Sequence, residues 1–232
     1  MKNKINECKT LEELFTLWES KYPNKVFVRD GIVKPDKWAT QEIKPLFLLK
    51  EAYGGEESWD LINDHILVKG DKQIDKTWKK VTQWTYGIMN STTDSTPFFD
   101  ENVIPKYFAN EYLQSIAGVN VKKIAGSSTS VWSELEEAVE NDKDFLKKEI
   151  ELIEPTVIIC GYTMSLLEKI LGVKIKKTSN KNLYYFTEIN GKKVIVLDYY
   201  HPGNQYPDIM NYYALTNIYK LALQDLNGGE EK

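Results

Sequence analysis

Four short, mainly apolar segments constrain the fold more than any other feature of this chain. They lie near 45–50, 116–124, 156–161 and 193–199. Short apolar runs bounded by glycines and other turn residues are typical of strands that are buried on both faces of a parallel sheet. Because a helical pattern follows each segment, we expect a three-layer α/β/α fold with a central, mostly parallel, four-stranded sheet.

Helical periodicity and one turn signal complete the expected organisation. Apolar spacing predicts helices over 7–20, 59–69, 76–89, 107–115, 133–153, 163–171 and 212–226. The dipeptide Asn190-Gly191 predicts a hairpin with arms over 183–189 and 193–199. A short strand is expected near 26–28. We expect one domain over 1–232, with residues 1–44 as an N-terminal helical extension.

Composition excludes several classes of protein. In 232 residues, 42% of them hydrophobic, no apolar stretch approaches the ~20 residues of a membrane-spanning helix, and the first residues show no signal-peptide pattern. The two cysteines, Cys8 and Cys160, are too few for a disulfide framework or a four-cysteine metal site. We expect a cytoplasmic monomer that needs no cofactor or metal ion and does not bind membranes.

The charge pattern limits how nucleic acid would be bound. The net charge is −4, and Arg29 is the only arginine. Bidentate reading of guanine by arginine is therefore not expected, and any DNA contact would depend on lysines and polar groups that recognise phosphate and shape. A group of lysines before the hairpin (Lys174, Lys176, Lys177 and Lys181) favours nucleic acid modestly, although charge runs are usually solvated surface.

Ligands of parallel α/β sheets bind beyond the carboxyl ends of the strands, so the segments that follow the strands carry the candidate site. Glu51 follows the first strand, and a carboxylate there can orient a water molecule or act as an acid or base. Asn120 lies inside the second strand, where asparagine is disfavoured, and its amide can read a base edge. His201 follows the last strand and begins a turn at Pro202 and Gly203.

Each of these residues also has a purely structural interpretation. Glu51 can form a salt bridge with a neighbouring lysine, Asn120 can stabilise a bulge, and His201 can bond a turn carbonyl. The other histidine, His65, has apolar neighbours and is expected to be packed or to cap a helix.

Four segments, in order, resemble motifs of the uracil-DNA glycosylase superfamily, and the resemblance spans roughly 45–222. They are Leu-Phe-Leu-Leu-Lys-Glu-Ala-Tyr-Gly at 46–54, Val-Asn-Val-Lys-Lys at 119–123, Glu-Pro-Thr-Val-Ile-Ile-Cys-Gly at 154–161, and Tyr-His-Pro-Gly-Asn at 200–204. The resemblance implies the fold of that superfamily and a DNA glycosylase that hydrolyses the N-glycosidic bond of uracil or another deaminated or damaged base. The base would be flipped out of the DNA.

The resemblance also implies roles for single residues. His201 would stabilise negative charge on the departing base, and Glu51 would place the attacking water. Asn120 would read the base edge, and Tyr53 or Trp59 would stack on the base. DNA contacts would come from Lys122, Lys123, Pro202, Gly203 and Asn204.

The chain departs from the superfamily pattern at three positions. Ala52 stands where the best-studied branch has its catalytic aspartate, Tyr53 replaces a proline, and Gly203 replaces a serine. Branches with a similar Glu-Ala loop usually hold an iron–sulfur cluster, which two cysteines cannot build. The alternatives are therefore a non-catalytic module that binds DNA or a nucleobase, and a hydrolase that uses Glu51 and His201 on a free nucleoside.

Overall fold

The computed structural model describes residues 1–101, 107–127, 129–177 and 184–228. Its helices are α1 (Lys2–Glu7), α2 (Leu11–Glu19), α3 (Pro35–Thr40), α4 (Lys76–Met89), α5 (Trp132–Ile153), α6 (Met164–Leu171) and α7 (Asp208–Gly228), with a π-helix at Leu61–Leu67 and a 3₁₀ turn at Leu113–Ser115. Its strands are β1 (Val28–Arg29), β2 (Gly31–Ile32), β3 (Pro45–Tyr53), β4 (Trp59–Asp60), β5 (Ala117–Gly126), β6 (Val157–Gly161), β7 (Lys176–Lys177), β8 (Tyr184–Ile189) and β9 (Lys192–Tyr199). Lys181 and the first arm residue, Leu183, lie outside the described residues.

The main sheet confirms an α/β fold and the four expected parallel strands. Its order is β2-β5-β3-β6-β9-β8-β7, and β5, β3, β6 and β9 are parallel neighbours. The predicted number of four strands is wrong, because β2 adds an antiparallel edge on one side and β8 and β7 add two antiparallel strands on the other. The hairpin at Asn190-Gly191 is confirmed, with β8 paired to β9.

Side chains that alternate along the central strands enter two separate apolar clusters, one on each face of the sheet. On β3, Leu46 and Leu48 join the cluster that contains residues of α1, α2, α5 and α6. Phe47 and Leu49 join the cluster that contains residues of α4, α7 and the π-helix. The period-two alternation of a strand explains why a continuous apolar run is needed here: both faces are covered.

Three predicted helices differ in the structure. The helix expected over 7–20 begins at Leu11, because Thr10 caps it and Glu13 closes a capping box. The helix expected over 107–115 is reduced to Leu113–Ser115, because the Asn110 side chain bonds the local backbone at Tyr107 and Leu113 and favours a turn. The segment expected to be helical over 59–69 is β4 followed by the π-helix.

The N-terminal segment also contributes to the sheets. Beyond α1, α2 and α3, it supplies β1, which pairs with β4, and β2, which pairs with β5. In the described residues, no helix is long and apolar enough to cross a membrane.

Candidate functional site

An open cleft of about 480 Å³ lies toward the carboxyl ends of β3, β5 and β9. Glu51, Asn120 and His201 all line it, so the structure brings together three residues that are separated by up to 150 positions in the sequence. Tyr53 and Trp59 line the same cleft. The carboxyl edge of the sheet is therefore the place where polar and aromatic groups converge, as the strand pattern predicts.

The His201 ring has a defined proton position. The backbone N–H of Gly203 donates to its Nδ1 (3.0 Å). A ring nitrogen that accepts a hydrogen bond carries no proton, so the neutral ring has its proton on Nε2. Burial, with the positive charge of Lys50 adding to it, lowers the pKa of His201 to about 4. At neutral pH the imidazole is an uncharged donor, and within the described residues its Nε2 has no protein partner.

The turn that carries His201 is fixed from beneath by a buried lysine. The Asn204 side chain donates to the carbonyl of His201 (2.8 Å). The ammonium of Lys80, fully buried on α4, donates to the Asn204 carbonyl (2.6 Å) and side-chain oxygen (3.1 Å) and to the Tyr206 carbonyl (3.0 Å). Burial lowers the pKa of Lys80, and the negative charge of Asp208 offsets part of this decrease.

This arrangement limits the groups that three expected DNA-contact residues can offer to DNA. Asn204 bonds its own loop and Lys80, so its polar groups are already used. Pro202 is buried, and the N–H of Gly203 is held by His201. The turn positions the histidine. Gly203 and Asn204 remain half-buried, so their contacts with a DNA backbone stay a prediction.

Asn120 is held in one orientation by Asp30. The Asp30 carboxylate accepts from the backbone N–H of Asn120 (2.8 Å) and from its side-chain Nδ2 (3.2 Å). A carboxylate only accepts, so the amide nitrogen must face Asp30. The amide oxygen is then left for the cleft, because no donor in the described part of the chain reaches it. The site combines a donor on His201 with an acceptor on Asn120.

Lys123 was expected to contact DNA, and this expectation is wrong. Its side chain is fully buried, and its ammonium forms ion pairs with Asp30 and Glu149 (2.9 Å to the latter). Burial raises the pKa of Glu149 well above its ordinary value, with Lys123 opposing and Asp30 reinforcing the shift. The buried ammonium thus has two carboxylate partners, and the group positions Asp30 beneath Asn120.

Lys122 is also unavailable to DNA phosphates as a free charge. Its ammonium bonds Glu51 (2.8 Å) and Glu134 (2.7 Å), and its side chain is only 13% exposed. Glu51 packs against the backbone of Gly126, where an added Cβ would lie 1.8 Å from the carboxylate. Lys122 thus neutralises Glu51 and orients it in the cleft.

The two aromatic candidates occupy different positions. Trp59 donates from its indole N–H to the Gly54 carbonyl (3.1 Å), which fixes the ring at the wall of the cleft. Tyr53 is 66% exposed at the rim. Trp59 is the better placed to face a ligand inside the cleft, and Tyr53 borders its entrance.

Sequence reasoning missed four residues of this site. His65, expected to be packed, lines the cleft with its Nε2 accepting from Lys69 (3.0 Å), and Asp75 of the α4 N-terminus lies beside it. Lys80 gave no signal, because α4 is buried around most of its circumference. Asp30 gave none, because its contact with Asn120 spans 90 positions.

Among the described residues, no group of three or more histidine, cysteine, aspartate or glutamate side chains is arranged to hold a metal ion. No protein-family model matches the chain, and no curated protein matches it. The resemblance to the glycosylase superfamily therefore stays an expectation that depends on the four sequence segments alone.

Proposed function

We propose that this protein is a DNA glycosylase that hydrolyses the N-glycosidic bond of uracil or another deaminated base. The observation that carries the proposal is the neutral His201, with a free Nε2–H, in the same cleft as the oriented oxygen of Asn120. The helices on both faces of the sheet support the three-layer architecture that the resemblance implies.

These two groups suit the departure of a pyrimidine-like base. When the bond between C1′ and the base breaks, the electron pair goes to the base, and negative charge develops on its ring nitrogen and carbonyl oxygen. A neutral N–H donor stabilises that charge more in the transition state than in the ground state. The Asn120 oxygen accepts from a ring N–H of the base, and the Trp59 ring borders the space where a flipped base would stack. Water adds to C1′ and gives up one proton, which neutralises the departed base anion, and an abasic sugar is left.

A second candidate function has one specific observation in its favour. Ala52 stands where the resemblance would place a catalytic aspartate, and the charge of the neighbouring Glu51 is neutralised by Lys122. Because one oxygen of Glu51 already accepts from Lys122, it is less free to accept from a water molecule. The same cleft without effective water activation would be a module that binds DNA or a nucleobase and releases no base.

Base release from labelled oligonucleotides distinguishes the two functions. Substrates that carry uracil, hypoxanthine or xanthine are incubated with the protein and then cleaved with alkali at abasic sites. His201→Ala should slow release by about 10²–10³. Its affinity for DNA should change little, because phosphate contacts carry most of that affinity.

His65→Ala is the comparison variant, because it removes the other imidazole that lines the cleft. It should slow release much less than His201→Ala, since Lys69 already uses its Nε2. If the unmodified protein releases none of these bases while it binds the same oligonucleotides, the binding module is the correct function. If His201→Ala releases base at the normal rate, the role of His201 is wrong.

A further inference from the structure

Three tyrosines form an exposed cluster directly beside His201. Tyr162, Tyr200 and Tyr206 are 57%, 37% and 54% exposed. Their ring centroids lie 5.8 Å apart between Tyr162 and Tyr200 and 5.0 Å apart between Tyr200 and Tyr206. We call these three residues the tyrosine cluster. Large rings in mutual contact with their surfaces open to solvent indicate a binding surface more than a part of the core.

The backbone beneath the cluster is held in place. Tyr162 adopts a φ of 65°, which is unfavourable for a bulky residue, and its N–H donates to the carbonyls of Cys160 and Tyr199 (2.9 Å each). The N–H of Tyr206 donates to the Asn204 side chain (3.0 Å), and buried Lys80 bonds the Tyr206 carbonyl. The rings therefore project from an ordered backbone, and backbone strain of this kind concentrates at functional sites.

Lys50 and Lys76 border the cluster. The ammonium of Lys50 lies 5.8 Å from the centre of the Tyr162 ring. Its positive charge contributes to lowering the pKa of His201. Lys76 bonds the side chain of Gln205, next to Tyr206. Within the described residues neither lysine forms an ion pair. This contrasts with Lys122, whose charge is neutralised by two glutamates.

We propose that the tyrosine cluster binds unpaired bases of single-stranded DNA, with Lys50 and Lys76 neutralising the phosphates. Alternating aromatic rings and cations are the pattern by which proteins hold single strands, because each exposed base stacks on a ring. In a duplex the faces of the bases are already covered by their neighbours, so the rings have nothing to stack on. The inference rests on the proposed function for the identity of the ligand as DNA. It adds that the bound DNA is single-stranded.

Fluorescence anisotropy with an undamaged oligodeoxynucleotide of about 15 nucleotides tests the inference, with the same sequence as duplex DNA and as RNA in parallel. We expect the single-stranded DNA to bind more tightly than the duplex or the RNA. Tyr162→Ala and Tyr206→Ala should each weaken single-strand binding about tenfold, which corresponds to one lost stacking contact. Tyr→Phe at the same positions should retain the affinity.

Two further variants complete the design. Tyr107→Ala removes an exposed tyrosine (53%) with no ring contact to the cluster, and it should bind as the wild type does. Lys50→Gln should reduce the slope of log affinity against log salt by about 0.7, the value for one phosphate contact on a single strand. Thermal melting of each variant checks that it remains folded.

Equal affinity for single strand and duplex, tighter binding of RNA, no DNA binding, or normal binding by both alanine variants would overturn the inference. The base-release assay separates this failure from that of the proposed function. Tyrosine-dependent binding of single strands without base release would leave the inference intact and overturn the glycosylase. Suppose instead that the tyrosine variants release base at the normal rate and that single strand and duplex bind equally. That result would leave the glycosylase intact and overturn the single-strand inference.

Discussion

The low pKa of His201 makes the stability of the protein depend on pH in a predictable direction. Burial lowers this pKa from its ordinary value of 6.5 to about 4 in the folded state. Between these two values the unfolded chain binds a proton at His201 and the native state does not. The contribution of the neutral imidazole to stability is therefore complete above about pH 6.5 and is lost as the pH falls toward 4.

The two pKa values fix the size of the effect. Between pH 7 and pH 5, protonation of His201 should stabilise the unfolded state over the native state by about 2 kcal/mol. His201→Gln removes the titrating group. We compare the free energy of unfolding of the wild type with that of His201→Gln. The difference, wild type minus variant, should thus decrease by about 2 kcal/mol when the pH is lowered from 7 to 5. All other groups that titrate are present in both proteins, and their effects largely cancel.

Urea denaturation at half-unit steps from pH 7 to pH 5 measures this difference, with tryptophan fluorescence as the signal. His65→Gln is the matched control, because it removes the other histidine and leaves the His201 contribution in place. Nitrogen-15 NMR of the imidazole should show the proton on Nε2. Parallel pH dependence of the wild type and His201→Gln would refute the reasoning, since it would mean that the ring is not desolvated in the native state.

Two further predictions concern the groups that hold the site in place. Lys80→Met removes a donor from three half-buried oxygens, of which the Asn204 side-chain oxygen and the Tyr206 carbonyl keep Asn211 as a donor. It should lower the free energy of unfolding by about 1 kcal/mol and slow base release, as measured by urea denaturation and the alkali-cleavage assay. Gly126→Ala places a Cβ 1.8 Å from the Glu51 carboxylate and must displace it, so base release should fall. Gly118→Ala on the same strand, whose Cβ meets its nearest neighbour at 3.7 Å, should not change the rate, and equal rates for the two variants would contradict this role of Glu51.

The parallel core of the sheet could be predicted because its signal is local. Each central strand is a short apolar segment that is covered on both faces. The carboxyl ends of such parallel strands lie at the same edge of the sheet. That rule was sufficient to predict that Glu51, Asn120 and His201 lie in one cleft. The edge strands β2 and β7 have two residues each, which is too few for any periodicity to show.

The roles of the two adjacent lysines show where the sequence reasoning stopped too early. Side chains alternate along a strand, and Ala117, Val119 and Val121 share the buried face of β5. The same alternation places Lys123 on that face, so its burial could have been predicted. Its ion-pair partners could not, because Asp30 and Glu149 come from segments 93 and 26 positions away.

Asp30 has a consequence for where this protein can be divided. The similarity to the glycosylase superfamily begins near residue 45, and a shortened fragment would naturally start there. Such a fragment would lack the carboxylate that accepts from both nitrogens of Asn120 and neutralises Lys123. Of the two carboxylates that pair with the buried ammonium of Lys123, it would keep Glu149 alone, and β5 would be exposed along the edge that β2 covers. A folded fragment should therefore begin upstream of residue 28, and any exchange of β5 should include residues 28–32.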